Sequence, residues 1–525
     1  MLGTIVLILS SYFSAGSCHK ILAILPFPSN SHYAIPDPLL VRLAELGHEV
    51  TVYNQFPKKN KILSNYNEID IGPCFPGMPE SLTMDRMSST GSNLIADLVG
   101  MIFVVPRYDE IKNCQPLMEL LDSNEKYDLF LTESFLSDIM LMYSAKFQIP
   151  LITVVPNIML PWLSNRMGNP DNPAYVPHPH LGCTARMTFF NRLENTIHYV
   201  LALLTYKYFV WKIDEGTIKS VFESAPPVEE MVRNTSLLFI STNSVINSPP
   251  IPLVPNVVDI GGIHIGSVKP LPQNIEKFIN ESKHGVVYFC MGSLLRGETF
   301  PPEKREAFLY AFSKIPQRVL WKWEGDVLPG KSDNIMISKW MPQRDILAHP
   351  NVKLFISHGG LLGTSEAVYE GVPVLGIPIF GDQRTNIKSL EANGAGELLD
   401  YNEISKEVVL EKIQRLLNDP KYKENAKLLS DRYRDRPMSP LDTAVYWTEY
   451  VIRHKGAPHL RTAAADMPWY QYLLLDVIAF IVAVLVAGLL IIYYTTKFIL
   501  RAIYGLICGG GAKKGSSKSD KKKRN

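Results

Sequence analysis

The sequence predicts an α/β protein with two doubly wound parallel sheets followed by a membrane-spanning helix. Three observations support this fold class: a length of 525 residues, two series of short apolar segments that alternate with helical stretches, and a long uncharged segment near the carboxyl end. Because a compact domain usually holds about 100–200 residues, the length alone favours two or three units. Strands that alternate with helices are typical of parallel sheets covered by helices.

The first sheet is predicted within residues 18–248. Its first strand is followed by a helical stretch at Pro38–Leu46, which Gly47 ends, and then by a second strand. The pattern recurs, and the predicted strands of this half are Lys20–Leu25, Glu49–Tyr53, Asp128–Thr132 and Leu151–Val155. Such strand–helix–strand units build a doubly wound parallel sheet.

A second sheet of the same kind is predicted within residues 257–468. Residues 249–256, Pro-Pro-Ile-Pro-Leu-Val-Pro-Asn, form a stiff extended linker between the halves. The predicted strands beyond the linker are Gly285–Met291, Arg318–Lys322, Lys353–Ser357 and Val372–Ile377. Open α/β sheets bind ligands outside the carboxyl ends of their strands, so a cleft between two facing sheets is the predicted site of function.

The carboxyl-terminal region predicts a membrane anchor at residues 469–496. Val477–Tyr494 contains no charged residue and, with the apolar residues before it, reaches the roughly 20 residues needed to cross a bilayer. Aromatic residues flank this stretch on both sides, as is typical of membrane interfaces. The basic segment 497–525 predicts a cytosolic tail, and Met1–Ser17 reads as a secretory signal. The part between signal and anchor is therefore expected to be lumenal, in a type I topology.

Two kinds of short motif fit a protein of the endoplasmic reticulum membrane. The final residues 522–525, Lys-Lys-Arg-Asn, resemble a dilysine retrieval signal, although a basic tail that touches anionic lipid would have the same composition. Asn-Thr-Ser at Asn234 and Asn-Glu-Ser at Asn280 are acceptor sequences for N-linked glycans, which become meaningful in a lumenal segment.

Charge and cysteine content limit the other classes of protein. A formal net charge of +2 gives no electrostatic support for binding nucleic acid. Cys74, Cys114 and Cys183 are candidate disulfide partners, but the sequence does not pair them. No metal site is predicted, because the sequence has no Cys-x-x-Cys motif and no histidine-rich cluster. The oligomeric state stays open, with a homo-oligomer as one option.

Residues at fixed spacings between Trp340 and Gln383 indicate the chemistry. They include a histidine followed by two glycines, an acidic residue eight positions after that histidine, two prolines, and a closing Asp-Gln pair. The residues are Trp340, Pro342, Gln343, His358, Gly359, Gly360, Glu366, Pro373, Pro378, Asp382 and Gln383. This pattern resembles the signature of the UDP-glycosyltransferase family. The resemblance implies the GT-B architecture, in which two Rossmann-like domains face a cleft, and a UDP-sugar as donor substrate.

A diphosphate site at this position also has a physical basis. His358-Gly359-Gly360 follows a predicted strand and opens a helix, so backbone N–H groups and the helix dipole face the cleft. Glycine lets a ligand approach closely. Gly292 and Ser293, at the end of another predicted strand, can supply a second turn of hydrogen-bond donors.

The resemblance implies roles for the remaining signature residues. Trp340 is expected to stack on the uracil, Gln343 to bond to the nucleoside, and Glu366 to hold ribose hydroxyls with its two acceptor oxygens. Asp382 and Gln383 are expected to bind the hydroxyls of the donor sugar.

The amino-terminal half is expected to supply the general base. His32, in the loop after the first predicted strand, matches the place of the family's catalytic histidine. Glu133 and Asp138 are both candidates for the carboxylate that orients His32, and the sequence does not choose between them. The implied reaction is a direct displacement that inverts the anomeric carbon. No Asp-x-Asp motif is present, so no divalent metal and no other cofactor is expected.

Leu362 is a departure from the resemblance, because many relatives carry Asn at this place, four residues after His358. Backbone groups would then hold the diphosphate without that side chain.

Glucose is the favoured donor sugar, because the overall sequence resembles insect members, and a small lipophile is the expected acceptor. The alternative is a membrane-tethered lipophile-binding protein without turnover, which Leu362 favours and His32 disfavours. A surface adhesion protein or receptor would leave the donor signature unexplained.

One apolar stretch has no assigned chemistry. Ile197–Trp211 is strongly apolar but too short to span a bilayer. It could line an acceptor pocket, rest on a bilayer surface, or be an ordinary packed helix.

Overall fold

The computed structural model describes most of the chain. The described residues are 18–508 apart from 59, 61–62, 76–83, 85–100, 102–104, 184–185, 247–249 and 294. The predicted secretory signal, the first residue of the predicted linker and the dilysine-like end of the tail lie outside the described residues. The chain forms two compact units, residues 1–465 and 466–525.

The first sheet has seven parallel strands in the order β3-β2-β1-β4-β5-β6-β7. The strands are β1 (Lys20–Leu25), β2 (Glu49–Asn54), β3 (Tyr66–Asp70), β4 (Leu129–Glu133), β5 (Leu151–Val155), β6 (Thr235–Ile240) and β7 (Val257–Asp259). The four strands predicted in this half are confirmed to within one residue at each end. Central strands such as β5 and β6 are buried along their whole length, as expected in a parallel sheet with helices on both faces. The edge strand β3 is polar, so its sequence carried no clear strand signal.

The second sheet has six parallel strands in the order β10-β9-β8-β11-β12-β13. The strands are β8 (Val286–Cys290), β9 (Arg318–Lys322), β10 (Ile335–Ser338), β11 (Val352–Ser357), β12 (Val374–Gly376) and β13 (Gly396–Leu398). Three of the four predicted strands agree to within one residue at each end. Strand β12 is shorter than predicted, because Pro373 has no N–H to contribute to a strand ladder.

Helices connect the strands and cover both sheets. They are α1 (Asn30–Tyr33), α2 (Pro36–Glu45), α3 (Gln115–Asp122), α4 (Met142–Phe147), α5 (Pro161–Met167), α6 (Phe189–Thr205), α7 (Trp211–Val221), α8 (Val228–Arg233), α9 (Gln273–Asn280), α10 (Pro302–Ser313), α11 (Gln343–Leu347), α12 (Leu361–Tyr369), α13 (Gln383–Ala392), α14 (Lys406–Asn418), α15 (Pro420–Arg434), α16 (Pro440–His454), α17 (Trp469–Tyr472) and α18 (Leu475–Cys508). A π-helical turn, Tyr206–Val210, joins α6 to α7. The helix predicted at Pro38–Leu46 is α2, which begins earlier because proline is favourable in a first helical turn.

Helix α16 returns to the first sheet after the chain has completed the second. Its residues Ala444, Val451 and Ile452 lie in the same buried cluster as Ile21 and Ala23 of β1. Burial of apolar surface stabilises such a contact by roughly 25 cal/mol per Å². The carboxyl-terminal end of the larger unit is therefore part of the core of its amino-terminal half.

The strand order reverses beside β1 in the first sheet and beside β8 in the second. Strand β1 lies between β2 and β4, and β8 lies between β9 and β11. At such a point the loops that follow neighbouring strands run in opposite directions and leave a crevice at the carboxyl ends. Each sheet therefore offers one crevice, after β1 and β4 in one case and after β8 and β11 in the other.

The disulfide pairing that the sequence left open is Cys74 with Cys114. Cys183, the third candidate, has a free thiol. The bridge joins the segment after β3 to the amino-terminal end of α3, at the outer side of the first sheet.

Helix α18 is the only helix in the described part of the chain that is long and apolar enough to cross a membrane. It is 34 residues long, and none of its residues is buried within the protein. It extends past the predicted anchor of residues 469–496 at its carboxyl end. Helix α18 is therefore a candidate membrane anchor.

Candidate active site

At the crevice of the first sheet, His32 and Glu133 form a hydrogen-bonded pair. His32 lies on the short helix α1 after β1, and Glu133 is the last residue of β4. The distance from His32 Nδ1 to Glu133 Oε1 is 2.5 Å, and the two side chains are only 13% and 8% exposed. A carboxylate acceptor places a proton on Nδ1 and leaves Nε2 as a hydrogen-bond acceptor. The pair has the arrangement of a general base and its orienting carboxylate.

Two aromatic side chains that sequence reasoning missed hold the His32 ring. Phe27 stacks on the ring with centroids 4.0 Å apart, and Phe135 meets its edge at 5.0 Å. Phe27 and Phe135 also contact each other edge to face at 5.3 Å. Their signals in the sequence are the Pro-Phe-Pro loop after β1 and an aromatic residue two positions after Glu133.

Of the two carboxylate candidates, only Glu133 contacts His32. Asp138 is bound to other side chains. The carboxylate of Asp138 accepts hydrogen bonds from both terminal nitrogens of Arg166 and from the side chains of Ser134, Tyr206 and Trp211. Burial raises the pKa of Asp138, but the Arg166 guanidinium and these hydrogen bonds outweigh burial and lower the pKa overall. Asp138 is therefore a buried structural anion, and the expectation that it orients His32 is not met.

At the crevice of the second sheet, two glycines enclose the ring of His358. Gly292 follows β8 with a φ of +85°, and a Cβ atom there would come within 2.6 Å of His358 Cε1. A Cβ atom at Gly360 would lie 2.5 Å from His358 Nε2. Both the left-handed conformation and the lack of room require glycine at position 292. The ring is thus held against two backbone turns beside the amino-terminal end of α12.

Burial and a nearby positive charge keep His358 neutral at physiological pH. Burial lowers the pKa of His358 to about 4, and the nearby Lys322 ammonium acts in the same direction. The neutral ring can donate one hydrogen bond without carrying a charge. Lys322, which sequence reasoning missed, donates to the carbonyl of Gly292 at 3.0 Å and to Glu324 at 2.8 Å.

The glycine and serine residues that are expected to bind the diphosphate differ in their hydrogen bonding and their exposure. Gly359 has a φ of +84°, and its N–H donates to Ser357 Oγ at 3.2 Å. Gly359 therefore permits the turn, but its amide is used within the protein. Gly360 is the residue that precedes α12, whose first N–H groups have no partner within the helix. Ser293 follows Gly292 and is exposed.

Gln343 and Glu366 are brought together as a polar pair. Gln343 Nε2 donates to Glu366 Oε2 at 2.7 Å, which links α11 to α12. Burial raises the pKa of Glu366 to about 7. Trp340, three residues before Gln343, keeps 67% of its surface exposed, so its indole is not a packed core residue. The three residues provide an exposed aromatic face and a partly buried pair of polar groups.

Asp382 and Gln383 lie where α13 begins. Asp382 Oδ2 is buried and has no hydrogen-bond partner among the described residues. Gln383 Oε1 accepts hydrogen bonds from the N–H groups of Ile379 and Phe380, at 2.8 and 3.1 Å. The amide nitrogen of Gln383 is therefore the group left for a ligand. An unpaired buried carboxylate oxygen is costly, and a ligand hydroxyl would supply the missing donor.

The crevices of the two sheets face one another. Burial raises the pKa of the Asp382 carboxyl, and the nearby His180 and His32 offset part of this effect. The loop that carries His180 also contacts α13, where the Gly182 N–H donates to Thr385 Oγ1 at 3.0 Å. The first sheet thus contributes a histidine and the second a carboxylate to the same cleft.

Leu362 lies in a largely apolar environment. Its side chain packs against the buried cluster that contains β1 and α16. Its carbonyl oxygen lies 3.2 Å from Nε2 of His264. An apolar residue suits this environment, because a polar amide would have to be buried against apolar side chains.

Comparison with known proteins identifies the class of enzyme. Residues 87–509 match the family model described as UDP-glucoronosyl and UDP-glucosyl transferase. Because the match covers most of the chain, the protein belongs to this family. It is a UDP-dependent glycosyltransferase.

Individual relatives match along nearly the whole chain. UDP-glycosyltransferase UGT5 of Dactylopius coccus is 62% identical and covers 96% of this chain and 97% of its own. UDP-glucosyltransferase 2 of the same species is 42% identical over 99% of both chains. UDP-glucuronosyltransferase 2B13 of Oryctolagus cuniculus is 33% identical over 96% of this chain and 97% of its own.

Solved structures of low sequence identity share the fold. The calicheamicin glycosyltransferase CalG4 gives a TM-score of 0.55 at 14% identity, over 83% of this chain and 99% of its own. LpCGTa, solved in complex with UDP, gives a TM-score of 0.54 at 15% identity, over 83% of this chain and 100% of its own. The architecture is therefore that of GT-B glycosyltransferases.

Proposed function

We propose that this enzyme transfers a hexose, with glucose favoured, from a UDP-sugar to a hydroxyl group of a small lipophilic acceptor, with inversion at the anomeric carbon. The observation that carries the proposal is the His32–Glu133 pair, together with the buried Oδ2 of Asp382 that has no hydrogen-bond partner among the described residues. A base on one wall and a sugar-binding carboxylate on the other suit attack of an acceptor oxygen on a bound sugar.

His32 acts as the general base in this proposal. Nε2 removes the proton of the acceptor hydroxyl while the oxygen attacks the anomeric carbon from the face opposite UDP. The bond between that carbon and the diphosphate oxygen breaks, and UDP leaves with the electron pair. Glu133 stabilises the imidazolium that forms, and the stacked Phe27 and Phe135 hold the ring in place.

The leaving diphosphate is held in this proposal at the amino-terminal end of α12. The unpaired N–H groups of the first helical turn and the helix dipole favour negative charge there. His358 adds one neutral donor, in keeping with its low pKa. Stabilising the charge that develops on UDP lowers the barrier to displacement. Hydrogen-bond donors of this kind support a reaction without a metal ion. Measuring activity in the presence of a chelator would test this point.

The donor's nucleoside is assigned to Trp340, Gln343 and Glu366. The exposed indole offers a face on which a uracil can stack. Glu366 carries two acceptor oxygens, one of which already holds Gln343. The choice of glucose is supported by the 42% identical relative that is named a UDP-glucosyltransferase.

The proposed acceptor class is supported by a pocket between α5 and α13 whose lining is mainly apolar. Its walls include Met159, Pro161 and Ile251 together with the polar side chains of Asp171 and His178. The cavity beside the base is smaller, and polar and apolar groups line it about equally. It is bordered by Pro26, Tyr108, Glu133, Phe135, Ser137, Ile139 and Met140. A mainly apolar pocket with a few polar groups suits a phenol or an alcohol with a lipophilic body.

Placement of the enzyme in the endoplasmic reticulum, with its catalytic part lumenal, is part of the proposal. It is supported by the candidate anchor α18 and by the basic sequence after it. Asn234 and Asn280, the predicted glycan acceptors, are exposed. We expect that removal of N-glycans shifts the gel mobility of the protein. This shift should be lost in a variant with both asparagines changed to Gln.

The first experiment measures UDP release from several UDP-sugars with a panel of phenolic and steroid acceptors. Membranes that contain the full chain are compared with membranes that contain His32→Ala or, as a matched control, His284→Ala, which removes an exposed histidine. Acceptor-dependent release from UDP-glucose that is lost only in His32→Ala is expected. Retained UDP binding with no release from any sugar would instead indicate the binding protein without turnover, the alternative that Leu362 favours.

A further inference from the structure

The loop after β4, residues 134–138, connects the His32–Glu133 pair to a buried network of polar side chains. The loop follows Glu133 directly, and its second residue, Phe135, contacts the edge of the His32 ring with centroids 5.0 Å apart. Glu133 and Phe135 also border the cavity beside the base. The position of this loop therefore determines how both side chains meet the histidine.

A buried ion pair holds the end of the loop. Arg166, on α5, donates to both carboxylate oxygens of Asp138, at 2.8 and 2.7 Å. Such a forked contact fixes direction as well as distance. The Arg166 side chain is 4% exposed and that of Asp138 is fully buried, at 0%. Tyr206 and Trp211 each donate to the same carboxylate at 3.0 Å, so hydrogen bonds enclose the ion pair.

The same arginine also binds the residue next to Glu133. Arg166 Nη1 donates to Ser134 Oγ at 2.8 Å, and this hydroxyl donates in turn to Asp138 at 3.0 Å. The backbone N–H of Ser134 donates to the carbonyl of Val154 in β5 at 3.0 Å. One guanidinium therefore binds both ends of the loop, and Ser134 connects it to the last residue of β4.

Further hydrogen bonds hold the middle of the loop to neighbouring helices. Trp162 Nε1, on α5, donates to the carbonyl of Phe135 at 2.9 Å. Ser137 Oγ and the Asp138 N–H donate to the two carboxyl oxygens of Asp214, on α7, at 2.8 and 2.7 Å. Helices α5 and α7 thus hold the loop along most of its length.

Stability alone does not account for a charged pair at this place. Removing a guanidinium and a carboxylate from water costs free energy, and apolar residues of similar volume are often at least as stable in such a position. Arg166 Nε is buried and has no hydrogen-bond partner among the described residues, which adds to that cost. The ion pair supplies a directional constraint on the loop that apolar side chains would not supply.

We propose that Arg166 is a positioning residue for the glycosyl transfer. Through Ser134 and Asp138 it holds the loop after β4, and thereby the carboxylate of Glu133, in the orientation that the general base requires. A displacement of about 1 Å at a catalytic group can lower a rate by roughly 100-fold. The inference rests on the proposed role of His32 as general base, but its failure would leave that role intact.

Arg166→Lys in the full chain tests this role, because lysine keeps the charge but loses the fork that binds two oxygens. UDP release is measured with the UDP-sugar and acceptor that give the highest wild-type rate, and calorimetry gives the Kd for UDP as a check of folding. We expect kcat to fall about tenfold or more, while the KM for the UDP-sugar and the Kd for UDP stay within about twofold. A wild-type kcat in Arg166→Lys would overturn the proposal.

Arg436→Lys is the matched control. Arg436 also binds an aspartate, with 3.1 Å between its Nη2 and Asp259 Oδ1, and both side chains are largely buried. Asp259 ends β7, which lies three strands away from β4 in the first sheet. The control should therefore keep the wild-type kcat, and an equal loss of kcat in Arg436→Lys and Arg166→Lys would overturn a specific effect on the His32–Glu133 pair.

A double-mutant cycle separates positioning from a general loss of structure. Arg166→Lys is combined with Glu133→Gln, and kcat is compared among the four proteins. If Arg166 acts through Glu133, Arg166→Lys should lower kcat much less in the Glu133→Gln background than in the wild type. An equal fold-loss in both backgrounds would overturn the proposal. Full activity of His32→Ala would instead overturn the proposed base, so the two failures are distinguishable.

Ser134→Ala provides a second test that keeps the ion pair and so decides the outcome if Arg166→Lys does not fold. It removes only the hydroxyl that connects the guanidinium to the start of the loop. We expect a several-fold lower kcat with an unchanged Kd for UDP, and no further loss in the Glu133→Gln background. Ser144→Ala, which removes a hydroxyl bound to the Ile149 carbonyl at 2.7 Å, should keep the wild-type kcat. A wild-type kcat in Ser134→Ala, or a loss that persists with Glu133→Gln, would overturn the proposal.

Discussion

At the residue scale, the site depends on pairs of side chains whose members lie far apart in the sequence. His32 and Glu133 are 101 residues apart, yet their polar atoms are 2.5 Å apart. Gln343 and Glu366 form a second such pair on the other wall of the cleft. In each pair one residue sets the protonation or orientation of the other, so each pair makes a distinct prediction.

Glu133→Gln should lower kcat by roughly 10²–10⁴-fold, because an amide cannot stabilise the imidazolium and can hold the wrong tautomer of His32. The KM for the UDP-sugar should change little, since Glu133 lies on the acceptor wall. Glu125→Gln, at an exposed glutamate that precedes β4, is the matched control and should retain full activity. A normal kcat in Glu133→Gln would remove Glu133 from the catalytic pair.

Donor affinity should depend on pH through Glu366. Burial raises the pKa of this carboxyl from 4.5 to about 7, so the ionised form that is proposed to accept ribose hydroxyls is lost as the pH falls below about 7. The KM for the UDP-sugar should therefore rise toward tenfold per pH unit below that value. Glu366→Gln should have a higher KM with no such slope between about pH 5.5 and 8. Parallel slopes in the two proteins would assign the titration to another group.

At the element scale, the turns that end β8 and β11 position the proposed donor side of the site. Gly292 has a positive φ, and a Cβ atom added at this residue would lie 2.6 Å from the His358 ring. The elements themselves are ordinary parallel strands, and the chemistry resides in the turns that follow them. The same holds in the first sheet, where His32 and Glu133 occupy the ends of β1 and β4.

Gly292→Ala should weaken UDP binding by displacing the His358 ring. Gly47→Ala is a matched control, because Gly47 also has a positive φ, of +98°, but has no atom within 4 Å of the added Cβ. Each substitution should cost about 1 kcal/mol of stability from backbone strain. Only Gly292→Ala should raise the Kd for UDP, as measured by calorimetry. An equal effect on UDP binding in the two variants would show that crowding of His358 is not the cause.

At the scale of the whole molecule, α16 makes the larger unit a single folding body. The helix follows the second sheet in the chain but packs on the first, where Ala444, Val451 and Ile452 are buried. Contacts that connect the end of a unit to its beginning make both parts depend on each other for stability. The candidate anchor α18 belongs to the smaller unit, residues 466–525.

Two truncations that both remove α18 should therefore behave differently. A chain that ends at Ala465 keeps α16 and should unfold cooperatively and bind UDP. A chain that ends at residue 438 lacks α16 and should lose several kcal/mol, at roughly 2–3 kcal/mol per large buried side chain, which is a large share of a typical domain's stability. Thermal unfolding followed by tryptophan fluorescence measures the difference. Similar unfolding curves would mean that α16 is dispensable for the first sheet.

The sequence by itself determined the fold class, the positions of most central strands and the signature residues of the donor side. These follow from local patterns: apolar runs of strand length, glycines at turns, and fixed spacings within the segment from Trp340 to Gln383. The edge strand β3 was missed because its burial, and hence its apolar content, is low. The sequence around Leu362 predicts a lost polar contact at this position, whereas in the structure its side chain packs against the buried cluster that contains β1 and α16.

Only the tertiary structure decided which distant residues meet. It paired His32 with Glu133, directed Asp138 to Arg166, joined Cys74 to Cys114, and placed Phe27 and Phe135 on the histidine ring. It also showed that α6 turns its apolar side outward, which the hydrophobic pattern alone could not reveal. The physical reason is that a one-dimensional pattern shows which side of an element is apolar, but the packing of whole elements determines what that side contacts.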